Sequence, residues 1–219
     1  IDRQVLNLIG ARQGWDFGGS SLNATNVINL GQNGAVIGAT GRVTGRQISL
    51  RQNNQTTPPL DLDLDYQVNV DLQKKTAVVQ ALSLAGKQEQ QNLLAAALDR
   101  PMNLAWGDAA GALPDSTFQL TLHELNLKSW QPVLGTNLPT GKVDLQLNLQ
   151  AQRNGKQLAA KLAAQVRELA ARFGTNAVEL AELNAELDAE LTDFNLANLK
   201  QFQFELRQKN RVLAKSGGS

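Results

Sequence analysis

A single histidine, no cysteine and a few runs of carboxylates are the residues of this chain that could carry chemistry. One histidine excludes a paired-histidine zinc motif, and any Ser-His-Asp triad would have to be built around His123. His123 stands beside Glu124 in a stretch that reads as a strand, where it is expected to face solvent. Asp61-Leu62-Asp63-Leu64-Asp65 opens like a calcium loop. It then places Tyr66 where the loop needs Gly and Leu72 where it needs a bidentate Glu, so the three aspartates read as the wet face of a strand. Glu186, Asp188 and Glu190 have the same spacing and the same reading. Gly34, Gly38, Gly41 and Gly45 have neither dinucleotide-binding spacing nor a Gly-Lys-Ser/Thr ending, and glycines in a strand mark bulges or close backbone approach. The sequons at Asn23 and Asn54 are of a kind that arises by chance. These residues point to no enzyme, no metal and no cofactor.

The elements around them follow a period of two. Val143 to Leu149 alternates apolar and polar residues, runs into Asn154-Gly155, and returns through Leu158 to Leu162. Asn-Gly between alternating runs signals a hairpin, because a type I′ turn needs positive φ at both central residues. Leu22 to Leu30, Asn33-Gly34 and Ala35 to Ala39 repeat the pattern, and Gly41 to Leu50 continues it. Leu60 to Leu72 is the cleanest strand, with Gln73 to Thr76 as its turn into Ala77 to Leu84. Gln52 to Pro59 reads as a loop and a mobile rim, since consecutive prolines donate nothing to a ladder. Phe118, Leu120 and Leu122 begin another strand, Leu125 and Leu127 switch parity as at a bulge, and Phe202 to Leu206 turns at Gln208 to Asn210.

One region is open between two readings. Leu162, Val166, Leu169 and Phe173, then Leu180, Leu183, Leu187 and Leu191, fall near helical spacing in an Ala- and Glu-rich background, as a helical hairpin broken at Gly174-Thr175-Asn176 would. Leu183 to Leu191 also alternates strictly, which favours strands over 158–191. Gln88 to Leu98 carries the same ambiguity.

Composition sets the class. Hydrophobic residues are 42% and charged residues 19%, enough apolar material for a folded chain and too little charge for a disordered one. Aromatics are only 5%, so the apolar faces are aliphatic and smooth rather than built on rings. A net charge of +1 provides no field for nucleic acid. No run approaches the roughly 18 apolar residues of a membrane-spanning helix. The chain begins at Ile1 and ends in Lys215 to Ser219 in mid-pattern, so it is expected to be a single β-rich domain, 1–219, cut from something longer. The expected fold is mainly all-β, long antiparallel strands in hairpins forming a curled, open, groove-like sheet, with room for a short helix.

Such a sheet must cover its apolar face with a second sheet, with helices or with a ligand. A two-sheet sandwich, structural or adhesive and without lipid, is one outcome. The other is an open groove whose aliphatic lining holds acyl chains. Alternation puts Leu62, Leu64, Val68, Val70, Leu120, Leu122, Val143, Leu145, Leu147, Leu187 and Phe204 on the apolar parity of their strands, and these are the candidate lipid-binding residues. On this reading Leu145→Asp blocks lipid passage and Asp144→Lys, on the wet face, does not.

Leu120 to Gly135, which includes Leu125-Asn126-Leu127-Lys128-Ser129-Trp130-Gln131-Pro132-Val133-Leu134-Gly135, resembles an element of AsmA-like proteins. Leu183 to Leu191, Asn195 to Leu199 and Phe202 to Leu206 are similar to the tail of the same family. The resemblance implies a repeating β-groove protein of the bacterial envelope, in the periplasm and anchored to the inner membrane through parts outside this piece. It further implies a role in phospholipid transport between the inner and outer membranes or in outer-membrane biogenesis, with acyl chains as ligand and an envelope protein as partner at the groove ends. Trp130 and Pro132 are expected to shape a corner.

Overall fold

The structure is a computed structural model that describes residues 7, 14–52, 54–106, 115–135, 139–173 and 176–219. Among these residues the chain forms strands β1 (Ser21–Gly31), β2 (Val36–Ile48), β3 (Arg51–Gln52), β4 (Gln55–Thr56), β5 (Leu60–Asp71), β6 (Thr76–Gln88) and β7 (Gln91–Leu98). They continue with β8 (Met102–Ala105), β9 (Ser116–Asn126), β10 (Thr140–Gln152), β11 (Gln157–Phe173), β12 (Asn176–Thr192), β13 (Leu196–Gln208) and β14 (Arg211–Gly218). A short helix, α1 (Leu127–Leu134), stands between β9 and β10.

Twelve strands make one antiparallel sheet, in the order β1-β2-β5-β6-β7-β9-β10-β11-β12-β13-β14, with β8 paired to the part of β6 that β7 leaves open. β3 and β4 form a separate hairpin. Each long strand lies beside the one that precedes it, the arrangement that short hairpin connections impose. The sheet is open and curled, and it does not close into a barrel. Alanines report the curl: Ala96, on the apolar face of β7, is 5% exposed, whereas Ala95 and Ala97 on the other face are exposed. At β7 the apolar face is therefore the more covered of the two.

Both contested regions are strands. β11 and β12 are 17 residues each, about three times the usual strand. Alanine and glutamate favour helices in isolation, but here both edges of each strand are paired and the leucines meet leucines across the ladder, which overrides propensity. Gly174 and Thr175, the expected helix break, lie outside the described residues. Gln91–Leu98 is strand β7.

The two Asn-Gly sites do turn hairpins, but not as two-residue turns. Each closes a four-residue loop, between the Gly31–Val36 and Gln152–Gln157 pairs. In these loops three successive residues have positive φ: Gln32, Asn33 and Gly34 in one, Arg153, Asn154 and Gly155 in the other. Two-residue loops with both φ positive occur instead at Glu89-Gln90 and Lys209-Asn210, without glycine. Two further expectations are corrected. The polar segment before Pro58-Pro59 contains the β3–β4 hairpin, held where Thr57 donates its amide to Leu50 O at 2.9 Å and accepts the Leu50 amide at Oγ1, also at 2.9 Å. Leu127 is not a strand residue after a bulge but the start of α1, capped by the Asn126 side chain, which accepts the Lys128 amide at 3.1 Å.

Apart from Ala96 in mid-sheet, the buried residues lie towards the two ends of the strands. At one end Ser20, Thr57, Leu93, Leu169 and Ala181 are buried, and α1 packs against β10 and the β3–β4 hairpin. At the other end Met102, Asn103, Ala105, Ser116 and Ala151 are buried, and β8 meets the Arg153–Gly155 turn. Gly155 fits there because a Cβ would stand 2.1 Å from Asn103 O, and Asn103 donates its side-chain amide to Asn154 O at 2.8 Å. Between these ends the described residues of the sheet form a single layer.

Candidate functional site

The apolar face is built by register. One row of Cα partners runs Ala24-Val43-Leu64-Leu84-Ala96-Leu120-Leu147-Leu162-Leu187-Phe202-Gly218 across all eleven lanes of the sheet. The next runs Leu22-Gly45-Leu62-Gly86-Leu94-Leu122-Leu145-Ala164-Ala185-Phe204-Ser216. Opposed residues in a ladder share a face, so each row stays on one side of the sheet. Neither row contains a charge.

These rows hold Leu62, Leu64, Leu120, Leu122, Leu145, Leu147, Leu187 and Phe204 together. Val68 and Val70 join them from β5, opposite Ala39 and Ile37 of β2, and Val143 joins from β10, opposite Leu125 and Val166. All the sequence-predicted positions thus lie on one face. Those on β5, β9 and β10 are half-buried, and Leu187 and Phe204 are 37% exposed. A second sheet laid over the face would bury them; the only other sheet among the described residues is the β3–β4 hairpin. Sequence reasoning missed Leu84, Leu94, Leu162 and Phe202, which share the rows. Their signal was the same parity, obscured at Leu162 by the helical spacing. It also missed a polar inclusion on this face. The Tyr66 hydroxyl donates to Asn26 Oδ1 at 2.9 Å, over Gly41, where a Cβ would lie 2.2 Å from that oxygen and 2.8 Å from the ring.

The opposite face is polar and cross-linked by charge. Asp63 and Asp65 pair with Arg46 and Arg42, both at 2.6 Å, and Asp61 accepts the Gln47 amide at 2.7 Å, so the aspartate run is engaged with β2. Asp188 pairs with Lys161 at 3.5 Å and Glu190 with Lys200. Lys142 meets Glu168 at 3.1 Å, and Glu205 holds both Arg207 and Lys215. Among the described residues no group of three or more His, Asp or Glu is placed to hold a metal ion.

His123 belongs to a cluster made by a β-bulge. Glu124 takes φ 51° where β9 slips against β10, so the Glu124 amide donates to Asp144 Oδ1 at 3.0 Å and His123 Nδ1 comes within 2.7 Å of the same oxygen. Arg167 of β11 donates to Asp144 Oδ2 and to Glu124 Oε1, both at 2.8 Å. Partial burial pushes the Asp144 carboxyl upward, but the Glu124 amide, Arg167 and His123 together hold it below its ordinary value. The side chain of His123 is 70% exposed, and no hydroxyl among the described residues is hydrogen-bonded to its ring. The cluster ties β9, β10 and β11 together at the bulge. Asp144 is therefore not the indifferent wet-face residue the sequence suggested, and Gln146, exposed on the same face, replaces it as a control position.

Two open clefts lie on the sheet. One, about 250 Å³, is lined by Gln146, Asn148, Lys161, Glu186, Asp188 and Gln201 together with Leu162 and Leu187, and its neighbour of about 610 Å³ by Thr121, His123, Asp144, Gln165 and Asn184 together with Leu122, Leu145, Ala164 and Ala185. Residues of both apolar rows contribute to these linings, between their polar neighbours in sequence. Among the described residues no helix is long and apolar enough to cross a membrane. Comparison with protein-family models, with curated proteins and with solved structures finds no match to this chain.

Proposed function

We propose that this chain is a hydrophobic-groove module of an AsmA-like envelope protein, which carries phospholipid acyl chains between the inner and outer membranes without covalent chemistry. The observation that supports the reading is the pair of uncharged rows that cross every lane on one face of a curled sheet. An acyl chain laid along them is desolvated at about 0.8 kcal/mol per buried methylene. The rows run from strand to strand, so a chain can slide along them with similar contacts at each step. Small residues at Ala164 and Ala185 leave width between the leucines, whereas Ile48 packs over Gly45 and Leu62 and Leu94 over Gly86. In this reading the chain works in the periplasm, attached to the inner membrane through other parts of a longer protein, with an envelope partner at a groove end.

Native mass spectrometry with lipid extraction, on the chain purified from a diderm bacterium, tests the proposal. Phospholipid is expected to co-purify, and Leu145→Asp combined with Leu187→Asp is expected to cut its occupancy at least tenfold, while Gln146→Lys leaves it unchanged. Lipid-free protein, or equal losses from the two kinds of substitution, would refute the groove.

A further inference from the structure

The sheet ends on one side at β1, which pairs with β2 and with no other strand among the described residues. Edge strands are ordinarily kept from pairing by charges or proline, and from Asn23 to Asn29 β1 has neither. The other edge, β14, carries Arg211 and Lys215. On β1, Val27 is 56% exposed and Ile28 66% exposed, on opposite faces, so among the described residues nothing covers either side there.

The side chains of β1 read symmetrically about Asn26: Thr25 and Val27, Ala24 and Ile28, Asn23 and Asn29. We propose that β1 is a self-complementary docking edge to which a second copy of this chain adds its own β1, antiparallel, about a two-fold axis through Asn26. In that register Asn23 faces Asn29, Ala24 faces Ile28 and Thr25 faces Val27, so β-branched residues meet on one face and aliphatic residues on the other. Opposed positions have the same parity, so the two apolar faces join on one side of a sheet twice as wide. Moving the axis one residue, to Thr25 or to Val27, sets Asn26 against Ala24 or against Ile28 and mismatches polar with apolar. The Asn26 side chain is held back over Gly41 by Tyr66, which fixes it within its own protomer. A two-fold contact of this kind is isologous and closes at the dimer, consuming the unprotected edge of both copies.

Sedimentation equilibrium over a dilution series tests the inference. The wild-type chain is expected to reach twice its 23.7 kDa and to dissociate on dilution. Thr25→Lys with Val27→Lys, both at exposed positions, sets like charges opposite each other across the axis and is expected to leave only monomer with an unchanged circular dichroism spectrum. Thr25→Glu with Val27→Glu is expected to do the same, and an equimolar mixture of the two variants to restore the doubled mass. As a check that needs no charge, Asn26→Cys in this cysteine-free chain is expected to give an intermolecular disulfide on mild oxidation, because residues opposed on a ladder lie about 4.5–5.5 Å apart, within disulfide reach. A monomer at every concentration, a dimer that survives both charged pairs, assembly beyond two copies, or no cross-link at Asn26→Cys would overturn it.

Discussion

Asp144 gathers a backbone amide, an imidazole and a guanidinium from three sources on two neighbouring strands, and its carboxyl sits below its ordinary value of 3.8 as a result. Glu124, Asp71, Asp99, Glu190 and Glu205 are lowered too: Glu124 by Arg167, Asp71 by the Lys74 amide, Asp99 by the Thr117 amide, Glu190 by Lys200 and Glu205 by Arg207. A carboxyl whose pKa falls on folding contributes stability above its unfolded value, and that contribution is lost as pH drops through the folded one. The chain is therefore expected to weaken as the pH falls below about 4, the unfolded carboxylate range. Asp144→Asn is expected to reduce stability at neutral pH by at most about 1 kcal/mol, the upper end for solvent-open ion pairs, and to make the acid decline shallower. Urea unfolding of both proteins across this pH range checks it; parallel curves would mean the cluster contributes nothing.

At the scale of the element, the hairpins carry the uncommon backbone. Glu89-Gln90 and Lys209-Asn210 have left-handed φ at both central positions, a conformation that L-residues other than Gly, Asn and Asp adopt at a cost of roughly 1–2 kcal/mol each. Asn-Gly sits elsewhere, in the four-residue loops at Asn33 and Asn154, where a third positive-φ residue precedes it. Glu89→Asn with Gln90→Gly is expected to stabilise the β6–β7 hairpin by about 1 kcal/mol by relieving that strain. A thermal midpoint that stays put or falls would show that the loop is held by side-chain contacts rather than by its backbone. The hairpins at Asn33, Asn154 and Lys209 were legible in the alternation on either side, whereas the one at Glu89 was not, because Gln88 to Leu98 was open between helix and strand. Their loop lengths were not, because length depends on where the flanking ladders close.

As a whole the molecule is a wall rather than a globule. It exposes 13728 Å². A compact monomer of 23.7 kDa exposes about 9,800 Å², so the excess is roughly 40%. The curled single layer accounts for this, because most side chains of the sheet are only half-buried and few are fully buried. Small-angle scattering of the monomeric fraction is expected to give a radius of gyration well above the about 17 Å of a compact chain of this length. A value at or near 17 Å would mean that the sheet folds on itself in solution.

The sequence by itself determined that the chain is mainly β, which residues lie on the apolar side of β5, β9 and β10, and that His123 and the aspartates of β5 belong to the other side. Alternation is a local property, and side chains of one parity share a face wherever the strand is placed. It left 158–191 divided between helix and strand, because propensity and periodicity disagree there and only pairing on both edges settles the matter. The tertiary structure alone decided that the apolar parities of eleven lanes fall into the same rows, since register is set between strands and a slip of one residue in any pair would have turned that strand's leucines to the opposite side. It alone decided that the bulge at Glu124 joins His123 to Asp144 and Arg167, and that Leu127–Leu134 winds into a helix against the β3–β4 hairpin. Each of these brings together residues far apart in the chain, and distance along the chain carries no record of which strands become neighbours.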